Sequence, residues 1–524
     1  MTKNKGENIQ RATIIVMLAL FLSRILGFVR EMIVARVYGR NYITDSFIAA
    51  FTIPDVMFYL LVGGALSSGF MPVFNSYIAK DDEDGAWKSA NTFITVAIIF
   101  ILIFNVLGIT FAKYLVPIVA SGLAKNKDAL ILTTKLTRIM FSAVTFTVLA
   151  GLTRGVLNSY KIFTSPSIGP VLYNVGMILG ALLLGKKLGI YGISIGVVVG
   201  AIMNFAVQVP DFKRVGKRFK LELDTQNEGY KRMLRLMVPA IIGLSISQVN
   251  LVVNQNIASV LDEGSITALR YANRIMLLPL GIFAMGIATT IFPVLNTQVA
   301  RGEYSEFKDT LSLGFRTVMF ITIPSTIGMI VLNTPIVRLL FRTGRFTESD
   351  VKVTAFALTF YSLAVVGQSA VQIITRGFYS IQDTKTPVKI GALTVIINIV
   401  LNLIFVRSST LAIGGIALSY SITSFINMIL LYKKLSEKMH GLRINEDLKS
   451  SIKSSIASFI MGGAAFIISR VIESKLGIDS KMVQIVDVGA SVAAAIIIYF
   501  AAAYVLKMPE MDYVIGTIKK KIRR

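Results

Sequence analysis

The segment Phe70-Met71-Pro72-Val73-Phe74-Asn75 returns 221 residues later as Ile291-Phe292-Pro293-Val294-Leu295-Asn296. Thr153-Arg154-Gly155 returns as Thr375-Arg376-Gly377, Gly192-Ile193 as Gly415-Ile416, and Pro166 and Asn204 are echoed by Pro387 and Asn427. Matches in order at a near-constant offset mark an internal duplication. The duplicated unit consists of recurring apolar runs of about twenty residues, the length an α-helix needs to cross ~30 Å of hydrocarbon. Backbone polar groups in lipid are satisfied only by helices or closed barrels. Strict apolar–polar alternation is absent, so the fold class is an all-α polytopic membrane protein with two parallel repeats and an expected site between them.

Composition narrows the chemistry. Cysteine is absent, which excludes disulfides and thiolate chemistry, and the single histidine, His440, stands in a polar loop. A histidine-based catalytic or metal centre is therefore not expected. The net charge of +25 raises a nucleic-acid reading, but in a polytopic chain the first question is which side of the membrane carries the basic residues. No cleavable signal peptide is expected, because the first apolar run is too long and lacks a small-residue cleavage site.

About fourteen transmembrane helices are expected, near 12–37, 46–78, 89–113, 130–158, 165–185, 190–210, 232–261, 266–299, 309–333, 350–377, 387–406, 411–434, 451–473 and 484–506. An even count puts both termini on one side. With that side cytoplasmic, the basic residues divide roughly two to one in favour of the inner loops, as the positive-inside rule requires. Six spans per repeat give an N-terminal lobe over 1–210, a polar cytoplasmic linker over 211–231 and a C-terminal lobe over 232–434. Spans thirteen and fourteen (435–506) lie outside the duplication, as packing helices or an added lipid-facing surface. The basic tail, 507–524, is expected to lie in the cytoplasm or on the anionic inner leaflet.

Charged residues at membrane depth nominate the site, since an arginine near a bilayer centre costs about 2.5–3.5 kcal/mol on insertion scales. Arg24 lies near mid-depth in the first span, with Arg30 six residues on, on a different face. In the eighth span Arg270 and Arg274 are four apart and share a face, and Pro279 and Gly281 follow where the helix can bend. Guanidinium groups from both repeats are expected to meet in a hydrated cavity and grip phosphate oxygens. Asp45, at the start of the second span, is expected to cap that helix, to orient an arginine, or both. Arg154 and Arg376, repeat-equivalent, are expected to snorkel to the interface, and Arg316 likewise. Asn250 with Asn254, and Asn398 with Asn402, are polar pairs one turn apart. They read as interhelical hydrogen bonding or as a weak candidate cation site. The small-residue stretch Gly63-Gly64-Ala65-Leu66-Ser67-Ser68-Gly69 is expected to allow close helix packing or bending.

Several stretches resemble the MurJ family of lipid II flippases, within the multidrug/oligosaccharidyl-lipid/polysaccharide exporter superfamily. They are Ser23-Arg24-Ile25-Leu26-Gly27-Phe28-Val29-Arg30, Thr44-Asp45-Ser46-Phe47, Tyr271-Ala272-Asn273-Arg274, Leu278-Pro279-Leu280-Gly281 and Gly377-Phe378-Tyr379-Ser380-Ile381-Gln382-Asp383-Thr384-Lys385-Thr386-Pro387. The resemblance implies a flippase of the bacterial cytoplasmic (inner) membrane that moves the undecaprenyl-pyrophosphate-linked peptidoglycan precursor to the outer leaflet. It implies substrate-handling roles for Arg24, Arg30, Arg274 and Asp45, a lipid-tail groove along spans thirteen and fourteen, and a sodium site near the four asparagines. It brings peptidoglycan-synthesis proteins and membrane lipids as partners. The chain departs from the family pattern at Phe58 and Tyr59, where arginines are common, at Gly63 for a glutamate, and at Asn273 for an acid. The acid expected in the sodium site is also missing.

The function expected is transport by alternating access, without covalent chemistry or a cofactor, coupled to membrane potential or a monovalent cation. The alternatives are export of another polyprenyl-linked polysaccharide intermediate, a membrane glycan polymerase acting on the same lipid, and a drug exporter of the same superfamily. An arginine-lined cavity disfavours the cationic substrates of the last.

Overall fold

The computed structural model describes residues 2–216, 218–408 and 411–511. The basic cluster Lys519–Arg524, on which the tail reading rested, lies outside the described residues. Fourteen long helices follow one another: α1 (Thr2–Tyr38), α2 (Tyr42–Ile78), α3 (Glu83–Val119), α4 (Lys127–Ser159), α5 (Thr164–Leu188), α6 (Ile190–Val215), α7 (Glu228–Ser259), α8 (Ser265–Arg301), α9 (Tyr304–Val331), α10 (Glu348–Ser380), α11 (Lys385–Phe405), α12 (Ala412–Lys438), α13 (Ile444–Leu476) and α14 (Lys481–Val505). All thirteen from α2 onward are long and apolar enough to cross a membrane. The all-α polytopic expectation holds. Observed helices overrun the expected spans, as at α3, because the helical backbone continues beyond the apolar stretch.

By contacts the chain forms two compact units. The first runs through Thr267 and takes in Thr343–Arg345; the second runs from Ala268 and holds the remainder.

In the first unit, α2 bends from α-helix into a π-helical stretch, Tyr59–Phe70. Local causes converge there: Pro54 has no N–H for the ladder, and the Ser67 and Ser68 hydroxyls donate back to the Gly63 and Gly64 carbonyls. Gly69 lies against the α7 backbone, where an added Cβ would stand 2.7 Å from the Met233 carbonyl oxygen. The small-residue stretch therefore serves close packing, as expected. Helices α5 and α6 also meet backbone to backbone, since a Cβ on Gly180 would come within 2.6 Å of the Gly196 Cα. The core below α2 is aromatic, with Phe74 edge-on to Trp87 at 5.7 Å between ring centroids. The Trp87 indole N–H donates to the Tyr160 hydroxyl (2.9 Å), which donates to Glu83 (2.7 Å).

The linker after α6 is strapped along α3. The backbone N–H groups of Lys220, Glu222 and Asp224 donate to the side chains of Asn91 (3.1 Å), Thr95 (3.1 Å) and Thr92 (3.3 Å). Arg218 pairs with Asp84 at 2.6 Å.

In the second unit, α8 enters its own π-helical stretch at Leu280–Ala284, directly after Pro279. It begins 221 residues after the one at Tyr59, the offset of the sequence duplication. Phe307, Leu311, Ile373, Phe378 and Leu435 form the core between α9, α10 and α12. Helices α13 and α14 join through a separate cluster that includes Phe320, Met461, Ala465 and Tyr499, and the Tyr499 hydroxyl donates to the Phe320 carbonyl at 2.6 Å. The buried Arg338 fixes their far end by pairing with Glu348 (2.7 Å) and with Glu473 of α13. Outward, α13 and α14 expose Phe459, Ile467 and Ile497. Arg316 lies 3.8 Å from Glu446 and 3.9 Å from the buried Glu510.

Candidate functional site

On α1 the two arginines differ sharply. Arg30 is held on three sides, by Glu31 (2.7 Å), the Asn174 side-chain oxygen (3.1 Å) and the Met177 sulfur (3.4 Å). Asn174 also donates to the Ser23 carbonyl (3.3 Å), so one amide of α5 binds α1 on both sides of Gly27. The sequence reading overlooked Asn174; its only signal is an isolated amide within an apolar run. Arg24 lies on an exposed face of α1. An arginine fixed by a carboxylate and an amide presents its fork in one orientation.

Asp45 does not cap its own helix. Asn41 does that, accepting from the Ile43 and Thr44 N–H groups in a capping box. The buried Asp45 carboxylate accepts instead from the N–H groups of Gly264 (2.7 Å) and Thr267 (2.8 Å) and from the Thr267 hydroxyl (2.6 Å). It caps the start of α8, where unpaired N–H groups and the helix dipole favour an anion.

Arg270 is half-buried and Arg274 exposed, one turn apart on α8 and upstream of its π-helical stretch. Arg24, Arg30 and Asp45 belong to the first unit, and Arg270 and Arg274 to the second.

Asn398 and Asn402 are buried on α11. Asn402 donates to Asn398 (3.2 Å), which donates to Thr423 of α12 (3.4 Å). This is the interhelical bonding expected of such pairs. Asn250 and Asn254 stand half-buried on α7, in the other unit. Among the described residues no group of three or more His, Cys, Asp or Glu side chains is placed to hold a metal ion.

Arg376 sits over the Phe292 ring, 5.3 Å from its centroid. Arg154 lines a cavity of about 240 Å³ inside the first unit, together with Phe51, Asp55, Phe58, Thr147 and Asn204.

The family model described as "Lipid II flippase MurJ" matches residues 34–486. "Lipid II flippase MurJ" of Burkholderia cenocepacia is 33% identical over 437 residues, 82% of this chain and 84% of that protein. "Probable lipid II flippase MurJ" of Vibrio cholerae is 33% identical over 442 residues, 82% of this chain and 83% of that one. A solved structure titled "Lipid II flippase MurJ, inward closed conformation" superposes with a TM-score of 0.78 at 27% identity, covering 94% of this chain and 99% of its own. An inward-facing multidrug resistance MATE family transporter shares the fold alone, with a TM-score of 0.68 at 14% identity over 82% of this chain and 98% of its own. With a model match spanning most of a multi-pass membrane chain, this protein belongs to the lipid II flippase MurJ family.

Proposed function

We propose that this chain moves lipid II, the undecaprenyl-pyrophosphate-linked peptidoglycan precursor, from the inner to the outer leaflet of the bacterial cytoplasmic membrane. The observation that carries the reading is the family match across residues 34–486, which takes in both copies of the duplication. An amphiphile with a large polar head does not cross hydrocarbon unaided, because burying its charges without partners is prohibitive. It can cross when the head passes through a wet cavity while the polyprenyl tail stays in lipid. The two repeats open that cavity first to the cytoplasm and then outward. Arg24, Arg30 and Arg274 take the pyrophosphate, Arg270 adds charge one turn from Arg274, and Asp45 sets the start of the helix that carries both. The exposed apolar face of α13 and α14 accompanies the tail.

Both termini are cytoplasmic in this reading, supported by the excess of lysine and arginine in the loops assigned inside. Membrane potential assists an outward-moving anion by ~2.3 kcal/mol per charge per 100 mV, with a monovalent cation as the other coupling source. Transport proceeds without covalent chemistry.

Purified Arg24→Ala and Arg274→Ala proteins are expected to bind lipid II at least tenfold more weakly, the loss of one or more charge-assisted hydrogen bonds. Neither is expected to support growth of cells depleted of the native protein. Unchanged binding with full growth overturns the assignment.

A further inference from the structure

The cavity inside the first unit is lined by Arg154 and by none of the arginines assigned above. Its floor is the packing of α2 on α4. Val62 lies against Gly151 and Leu66 against Gly155, so the two helices run in the same direction. Asp55 then falls level with Val144, ten residues from Arg154, or ~15 Å along the axis. Asp55 and Arg154 therefore enter the cavity from different levels of α2 and α4, with Phe51 and Phe58 also lining it.

Arg154 has little inside the protein to hold it. Its buried Nε has no hydrogen-bond partner among the described residues. Comparison of the two repeats sharpens the point. Arg376, its equivalent, rests on the Phe292 ring, and an aromatic face over a guanidinium is a recognised source of stabilisation. The residue matching Phe292 in the first repeat is Met71, which offers no such face. The Nε of Arg376 also has no hydrogen-bond partner among the described residues, so the repeats differ in what faces the guanidinium, a ring in one and a cavity in the other. Asn204, at the same cavity, is nearly buried and accepts from Gln208 through its side-chain oxygen (3.3 Å), which leaves its amide N–H groups as donors.

We infer that the Arg154 end of this cavity binds a phosphate-class oxyanion, held by the Arg154 guanidinium and the Asn204 amide. Arginine suits such a ligand, since its planar fork meets two oxygens at once. A buried guanidinium whose Nε has no hydrogen-bond partner is costly, so an oxyanion entering the cavity gains from supplying one. The oxyanion has two candidate sources, a free inorganic one and one carried on a lipid.

The test is calorimetric titration of the full chain in a phosphate-free maltoside detergent, with inorganic pyrophosphate and, separately, farnesyl pyrophosphate. Arg154→Gln is expected to weaken binding of at least one of them by about tenfold or more, and Arg154→Lys to retain most of it. Met71→Phe leaves the charge in place but supplies the missing aromatic face. It is expected to draw Arg154 away and weaken the same binding, which keeps the inference testable should Arg154→Gln fail to fold. A response to inorganic pyrophosphate that is lost in Arg154→Gln and Met71→Phe identifies a free-anion site, and such a response to farnesyl pyrophosphate alone a lipid-borne one; both support the inference. Wild-type affinity for both probes in Arg154→Gln and Met71→Phe overturns it. Loss of binding in Arg24→Ala with none in the Arg154 and Met71 variants sinks this site while leaving the transport reading intact. Loss in the Arg154 and Met71 variants alone supports this site, and the transport reading is then decided by its own lipid II binding and growth tests.

Discussion

Two arginines at the same place in a duplicated sequence have been put to different uses. Arg376 is stacked on Phe292, and Arg154 faces a cavity. At the position of Phe292 the first repeat has Met71, which offers no aromatic face. On α1, Glu31 and Asn174 hold Arg30. Outside the membrane, Asp383 shows how much a loop carboxylate can contribute. It accepts from the Lys385 and Thr386 N–H groups (3.1 and 3.0 Å), the Thr386 hydroxyl (2.6 Å) and the Lys438 ammonium (2.6 Å). Partial burial pushes its pKa up, but the hydrogen bonds from Lys438 and Thr386 and the Lys438 charge outweigh that and hold it at about 2. Since the folded value lies below the ordinary one, its stabilisation is complete above about pH 4 and is lost as pH falls toward 2. Asp383→Asn is expected to cost about 1 kcal/mol at neutral pH, because asparagine can still cap but no longer carries the charge that pairs with Lys438. It should also flatten the acid limb of the melting profile between pH 4 and 2. An unchanged acid limb refutes the role.

At the scale of the element, proline and glycine punctuate otherwise uniform apolar helices. The π-helical stretches begin at Tyr59 and Leu280, at matching positions of the two repeats. Such widenings concentrate at functional sites because they place side chains and carbonyls off the regular helical lattice. Both helices carry candidate residues, Asp45 on α2 and Arg270 and Arg274 on α8. Glycine acts differently in α5 and α6, where the two backbones touch. Gly180→Val would drive a side chain into the Gly196 Cα and is expected to destabilise by about 1–3 kcal/mol. Gly463, on α13, has open space where its Cβ would stand, so Gly463→Ala is expected to be neutral or slightly stabilising. Melting temperatures of the two variants in detergent check the contrast; equal shifts would mean that the close approach carries no energy.

At the scale of the molecule, the linker strapped to α3 makes the first unit larger than its six repeat helices, since α7 also packs on the π-helical stretch of α2. Helices α13 and α14 belong to the second unit through Tyr499 and Arg338, leaving one apolar face outward. The proposed transport predicts a cellular phenotype. Depletion of this protein should cause lipid II to accumulate in the inner leaflet, read by a reagent that reaches only outer-leaflet headgroups. A normal outer-leaflet signal after depletion contradicts the flippase assignment.

The number of long helices, the duplication, the position of the α8 bend and the residues that mark the family were legible in the chain, because each depends on hydrophobic period, proline placement or local identity. The partners of the charged groups were not. Arg30 finds Asn174 across 144 residues, Arg338 finds Glu473 across 135, and Asp45 caps a helix that starts some 220 residues later. Snorkelling was a sound expectation for Arg154 from span position alone, yet only packing could show a cavity beside it. A side chain's distance from the membrane centre is written along one helix; what stands opposite it depends on another.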